Sequence, residues 1–242
     1  MKLKILLICS IVLLIASLAI GLYPSISNYV NSKYAESTID DYSDTVDTLD
    51  DDTKNKMILD AENYNDQLKN QDGEFSYSTQ SSVTGYDDVL GFNDGILGYL
   101  DIPKIDLYLP IYHGSEGEVL SKGVAHLPNT ALPVGGKGNH CVLAAHTGYV
   151  GQIFFDNIDK LKTGDLMYIK ILDYTFAYKV TEKHIVKPDD ISHCQAVRDK
   201  DLISLVTCYP YGQNSHRLIV TGERYESAEN KTASADSDTQ KN

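Results

Sequence analysis

Three side chains in this sequence carry the chemistry of nucleophilic catalysis, and each stands at the edge of a run that reads as a β-strand. Cys208 closes the run Leu205-Val206-Thr207-Cys208, just ahead of the loop that opens with Tyr209-Pro210. A strand end holds a thiol rigidly and the loop beyond it gives access, which is what a nucleophile needs. Arg217 follows nine residues later and opens Arg217-Leu218-Ile219-Val220-Thr221-Gly222, a second β-type run. Adjacent strands joined by that loop bring positions 208 and 217 side by side. His146 lies just past the apolar run Val142-Leu143-Ala144-Ala145 and precedes Thr147-Gly148. A thiol, an imidazole and a guanidinium meeting at three strand ends supply a nucleophile, an acid–base group and an oxyanion donor. Each alone has a plainer reading: a small buried hydrophobe, a loop histidine, a salt-bridging arginine. It is the constellation that points to catalysis.

The remaining cysteines do not compete. Cysteines stand at 9, 141, 194 and 208, and Cys9 falls inside an apolar N-terminal run, so at most three can meet in a folded domain. No pair has the C-x-x-C spacing of a zinc or redox site, and no metal or cofactor is expected. An odd number of thiols in an exported domain leaves one free, and catalysis explains a free one. Cys141 in an apolar strand and Cys194 in a loop beside His193 read as buried or incidental thiols. His113, His140, His184 and His216 have no supporting motif. Thr207 reads either as a hydroxyl in a substrate groove or as an ordinary β-branched strand residue. His126, ahead of Leu127-Pro128-Asn129-Thr130, reads as structural or groove-lining.

The elements that must position these groups begin near Gly98. Strand candidates are Gly98–Ile102, Leu107–Tyr112, Cys141–Ala145, Met167–Leu172, Thr175–Val186, Leu202–Thr207 and Arg217–Glu223, separated by turn signals such as Gly135-Gly136-Lys137-Gly138. Many short strands with few helices predict a mainly β domain, barrel or sandwich. Upstream, the Asp-rich residues 34–70 carry apolar positions spaced for one or two amphipathic helices, with Asp50-Asp51-Asp52 suited to opening the second. Residues 71–84 read as a loop, and 226–242 as a disordered polar tail. Ile5 to Leu22 is uncharged and apolar or small; about 18 residues at 1.5 Å rise give about 27 Å, close to a bilayer's hydrocarbon thickness. Lys2 and Lys4 precede it and Lys33 is the first cation after it, which leaves residues 1–4 in the cytoplasm, an anchor over 5–23 and the rest outside the cell. The same run also fits a cleaved signal peptide, with Ser17-Leu18-Ala19 as the site; both readings export the domain. A formal charge of −13 and the lack of a basic stripe exclude nucleic acid as a partner.

The stretch Leu205 to Arg224, LVTCYPYGQNSHRLIVTGER, resembles the sortase signature TLxTC followed by an arginine opening the next strand, and AAHTG around His146 resembles that family's catalytic-histidine motif. Residues 98–114 are similar to its first barrel strands. GVAHLPNTALPVGG, residues 123–136, resembles the HLxGTSLPxGG segment of class C, pilus-building sortases. The resemblance implies a closed β-barrel of about eight strands with short helices over residues 96–225, preceded by a helical region, 24–95. It implies a membrane-anchored cysteine transpeptidase that cleaves an LPxTG-like sorting signal on a pilin or surface protein and holds the acyl group on Cys208. His146 would be the acid–base group and Arg217 the oxyanion or substrate donor. The acceptor would be a lysine of another pilin or, in an anchoring sortase, a cell-wall peptide amine; the reading from another class is a non-enzymatic surface adhesin. Class C members carry a lid with an Asp-Pro-aromatic motif, to which Asp72-Gly73-Glu74-Phe75 corresponds without the proline; Asp72 and Phe75 are thus lid candidates, and an open linker is the alternative. Many also have a second membrane helix where this chain has its polar tail.

Overall fold

The structure, a computed structural model, describes residues 2–70, 80–92, 95–149 and 151–226. Eight strands form its body: β1 (Ile96–Ile102), β2 (Leu107–His113), β3 (Val124–His126), β4 (Asn139–Ala144), β5 (Leu166–Ile171), β6 (Tyr174–Val186), β7 (Asp201–Tyr209) and β8 (His216–Arg224). They close into a barrel in the order β1-β2-β3-β4-β7-β8-β6-β5, with β1 pairing β5 to complete the ring. Closure leaves no edge strand open to pairing with another chain. The pairs β2–β3 and β4–β7 are parallel and the others antiparallel. Seven strands were legible as apolar runs. The eighth, β3, is three residues long, too short to show a period of two, and it pairs only because the chain from a short helix, α3 (Gly117–Lys122), returns beside β2.

The barrel interior is filled by alternate residues of each strand, among them Leu100, Ile111, Leu143, Ile169, Ile203, Leu205 and Val220, all fully buried. The opposite faces of β4, β7 and β8 carry a second, smaller cluster: Val142, Val206 and Ile219 with Leu127, Val186 and Cys194. That outer face matters for the site.

Among the described residues, two α-helices precede the barrel. α1 runs unbroken from Lys2 to Asp47, with Pro24 inside it, so the apolar run and the first amphipathic segment form one element. Its N-terminal part is long and apolar enough to cross a membrane, and none of that part is buried in the protein. Further along, Ala35, Ile39, Tyr42 and Val46 recur at helical spacing and are buried against the barrel. The Tyr42 hydroxyl donates to Leu97 O (3.1 Å) and accepts from the Leu172 N–H (2.8 Å), bridging β1 and the β5–β6 turn. Burial pushes this phenol's pKa up.

α2 (Asp51–Lys69) opens as its acidic triplet suggests. Asp50 is the N-cap and accepts from the Thr53 N–H (2.7 Å), while Asp51 and Asp52 occupy the first turn, where carboxylates oppose the helix dipole. Asn65, buried, fixes α2 to the barrel by donating to Leu132 O (3.1 Å) and accepting from Leu132 N–H (2.7 Å). Beyond α2, residues 80–84 dock rather than run free: Val83 is buried and Asn129 donates to Gln80 O (2.8 Å).

Candidate active site

In the antiparallel pairing of β7 with β8, Cys208 stands opposite Arg217. Strand alternation fixes the face. Ile203 and Leu205 belong to the interior, Val206 to the outer cluster, so Cys208, two residues on, lies on the outer face. By the same count Arg217, two residues before Ile219, shares that face. β4 runs parallel to β7 with Val142 opposite Ser204 and Ala144 opposite Val206, and Ala145 N–H donates to Val206 O (3.2 Å), carrying the pairing past the end of β4. β4 ends at Ala144, and His146 follows two residues on, at the end of the wall where Cys208 and Arg217 stand opposite each other.

Thr207 ties that end together. Its hydroxyl donates to Ala145 O (2.7 Å) and accepts from the Thr147 hydroxyl (2.7 Å), so it holds both neighbours of His146 from the position just before Cys208. It is 4% exposed. A hydroxyl satisfied inside the protein does not line a substrate groove, and the groove reading of Thr207 gives way to a positioning one.

The segment after His146 is braced on every side. Phe155 N–H donates to His146 O (3.0 Å), and the Asp156 carboxylate accepts from the N–H groups of Gly148 (2.8 Å) and Phe154 (3.1 Å). The His146 ring stacks on Tyr149, centroids 5.2 Å apart and nearly parallel, with Phe154 behind. Gly148 has φ +73, and a Cβ there would sit 2.9 Å from the ring of Tyr211 in the β7–β8 loop, so glycine lets the two loops approach. Asp156 and Tyr149 were not visible as site residues from the sequence, because neither lies on a strand whose period would have placed it.

Cys208 is a free thiol, half-buried, whereas Cys141 and Cys194 are buried. Burial holds the Cys141 thiol well above the ordinary range, which keeps it unreactive. Arg217 donates through Nη1 to His216 O (3.0 Å) and Asn214 O (3.4 Å) in its own turn. Those bonds steady the guanidinium and leave its Nε and Nη2 donors outside them.

His126 is the other correction. It is fully buried, so it is structural and lines no groove. Its Nε2–H donates to Ala131 O (2.9 Å) and its Nδ1 accepts from the Tyr86 hydroxyl (2.7 Å), while Tyr86 accepts from Gly114 N–H (3.0 Å). Burial lowers the His126 pKa to about 3. The lid candidates Asp72 and Phe75, and the tail beyond Glu226, lie outside the described residues.

Comparison with known proteins identifies the family of the fold. A family model described as the sortase domain matches residues 100–225. Among solved structures, sortase C of Clostridium perfringens, crystallised with the C-terminal cell wall sorting motif, is 42% identical with a TM-score of 0.70, covering 80% of this chain and 100% of that one. Sortase C1 of Streptococcus agalactiae is 40% identical with a TM-score of 0.75, covering 79% of this chain and 99% of that one. Among curated relatives, sortase D of Bacillus subtilis is 32% identical over 130 residues and sortase A of Bacillus anthracis 34% over 130 residues. The matches cover 52% and 53% of this chain and only 63% and 59% of those two proteins.

Proposed function

The chain belongs to the sortase family and is most like its class C members, and on that premise we propose that it is a membrane-anchored cysteine transpeptidase that joins pilin subunits. The Cys208 sulfur, as thiolate, adds to the Thr carbonyl carbon of an LPxTG-like sorting signal. Arg217 donors hold the oxyanion or the adjacent substrate backbone. Collapse breaks the C–N bond while His146 gives its proton to the departing amine, leaving a thioester on Cys208. A lysine amine of a second pilin then adds to the thioester and loses its proton to His146; the C–S bond breaks and the thiolate returns. The new amide is the pilus linkage.

The observation that carries this reading is the Cys208–Arg217 cross-strand pair with His146 at the matching end of parallel β4. The structure of the similar Clostridium perfringens sortase C with the C-terminal cell wall sorting motif supports the substrate class. The test uses the full chain in lipid nanodiscs with a sorting-signal peptide. Mass spectrometry should find the acyl adduct on Cys208, absent from Cys208→Ala, and a pilin domain bearing an acceptor lysine should consume it. Product formed only with cell-wall peptide would move the acceptor to wall anchoring. Transfer undiminished in Cys208→Ala would defeat the enzyme reading itself.

A further inference from the structure

α1 touches the barrel a second time, nearer its membrane end, and the contact is with the segment that follows His146. Ser27 Oγ (3.1 Å) and Asn31 Nδ2 both donate to Gly151 O. Gly151 has φ +88, and a Cβ there would fall 2.4 Å from Ser27 Oγ, so the helix and this segment lie in close contact. The height of the contact follows from helix geometry. Ser27 and Asn31 are four and eight residues past Tyr23, about 6 and 12 Å along the axis at 1.5 Å per residue. The interfacial layer beyond the hydrocarbon is about 5–8 Å deep per leaflet, so the contact begins within it.

The side chains around that contact suit the same layer. Ile153 is 51% exposed, Tyr149 42% and Tyr29 65%. A cavity of ≈ 320 Å³ between α1 and the barrel is lined by Tyr29, Ile105, Tyr108, Ile153 and Phe154, among others. Residues 23–32 and 145–155 contain no Asp, Glu, Lys or Arg, in a chain that is 23% charged. Tyr29, Tyr149 and Ile153, on stretches without charges beside a membrane helix, match the composition of the bilayer interface, and charge resumes at Asp106 on the barrel side of the cavity.

We propose that the barrel face carrying Tyr149 and Ile153 rests in the lipid headgroup layer beside α1, so that the His146 end of the active-site wall opens at the membrane surface. The proposal rests on the membrane-anchored reading above and adds an orientation: the bilayer itself is the partner of this face, continuous with the span of α1. A sorting signal would then be met at headgroup height.

The chain contains no Trp, so a single introduced Trp reports alone. Full-length Ile153→Trp and Tyr149→Trp, in phosphatidylcholine nanodiscs containing headgroup-nitroxide lipid, should be quenched about threefold more than Tyr174→Trp. Tyr174 hydrogen-bonds Asn55 at the start of α2, beyond the far end of α1, so it serves as the distant reference. Leu13→Trp with acyl-brominated lipid tests the anchor separately. Quenching at 13 together with 153 or 149 supports the proposal, and either barrel site suffices if the other variant fails to fold. Quenching at 13, with folded variants at 153 and 149 no more quenched than the one at 174, overturns the orientation and leaves the anchor standing. No quenching at 13 removes anchor and orientation together. Quenching at 153 relieved by sorting-signal peptide, or lost when each disc holds one chain, would give the face to substrate or to a second copy instead.

Discussion

At the scale of single residues, chemistry and position at strand ends can nominate reactive groups in a sequence, but not the groups that support them. Cys208 and Arg217 flank one loop on adjacent runs and His146 follows another, so residue type at strand ends, with the family-like motifs around them, nominated all three. Thr207 carried two readings in the sequence because a threonine beside a strand-end cysteine can face either way. Only the pairing of β4 with β7, distant in sequence, shows its hydroxyl meeting Ala145 O and Thr147. This makes it a positioning residue with a definite signature. Thr207→Val keeps the shape and removes the hydroxyl, and should lower kcat about tenfold, equivalent to about 1.4 kcal/mol, with KM for the sorting peptide little changed. Thr207→Ser should restore most of the rate. A rise in KM with kcat intact would instead return Thr207 to the substrate groove.

At the scale of elements, the strands announced themselves because each is an apolar run bounded by turns, and Asp50-Asp51-Asp52 announced the start of α2 by its capping chemistry. Two things were hidden. β3 is fixed by its neighbours rather than by its own three residues. The continuity of α1 was masked by Pro24 and by the change from apolar to Asp-rich composition, yet the helix persists because its Ala35–Ile39–Tyr42–Val46 stripe finds the barrel. Tyr42 is the polar member of that stripe, and its hydroxyl answers both Leu97 O and Leu172 N–H where water cannot reach. Tyr42→Phe leaves both backbone groups buried and unpaired, so it should cost about 2–3 kcal/mol. Thermal unfolding should register this as a drop of roughly 4–10 °C. An unchanged Tm would mean that α1 contributes nothing through this bridge.

At the scale of the whole molecule, buried histidines set how the fold meets acid. His126, His113 and His140 are each buried among hydrogen-bond partners, and burial lowers the pKa of all three, His126 to about 3. His126 sits between Tyr86 and Ala131 O, His113 between Val89 O and Gly95 O, and His140 between Gln195 O and Ser204. An unfolded histidine takes its proton near pH 6.5, whereas His126 in the native state takes its own only near pH 3, and burial shifts His113 and His140 in the same direction. Between those values the unfolded chain binds more protons, so stability falls as pH falls, by about 1.4 kcal/mol per unit for each histidine still neutral. From pH 6.5 to 5, His126 alone accounts for about 2 kcal/mol. Asp101 and Asp201 act in the opposite sense, since burial raises their carboxyl pKa and their protonation favours the fold. His126, lowered to about 3, contributes its loss across the whole window from about pH 6.5 to 5. Tm should drop between pH 7.5 and 5, and His126→Gln, though less stable at pH 7.5 for want of its Tyr86 and Ala131 bonds, should show a slope shallower by about one histidine's share. A variant with the parent's slope would place the acid sensitivity elsewhere than in the Tyr86–His126–Ala131 chain that ties residues 80–92 to the barrel.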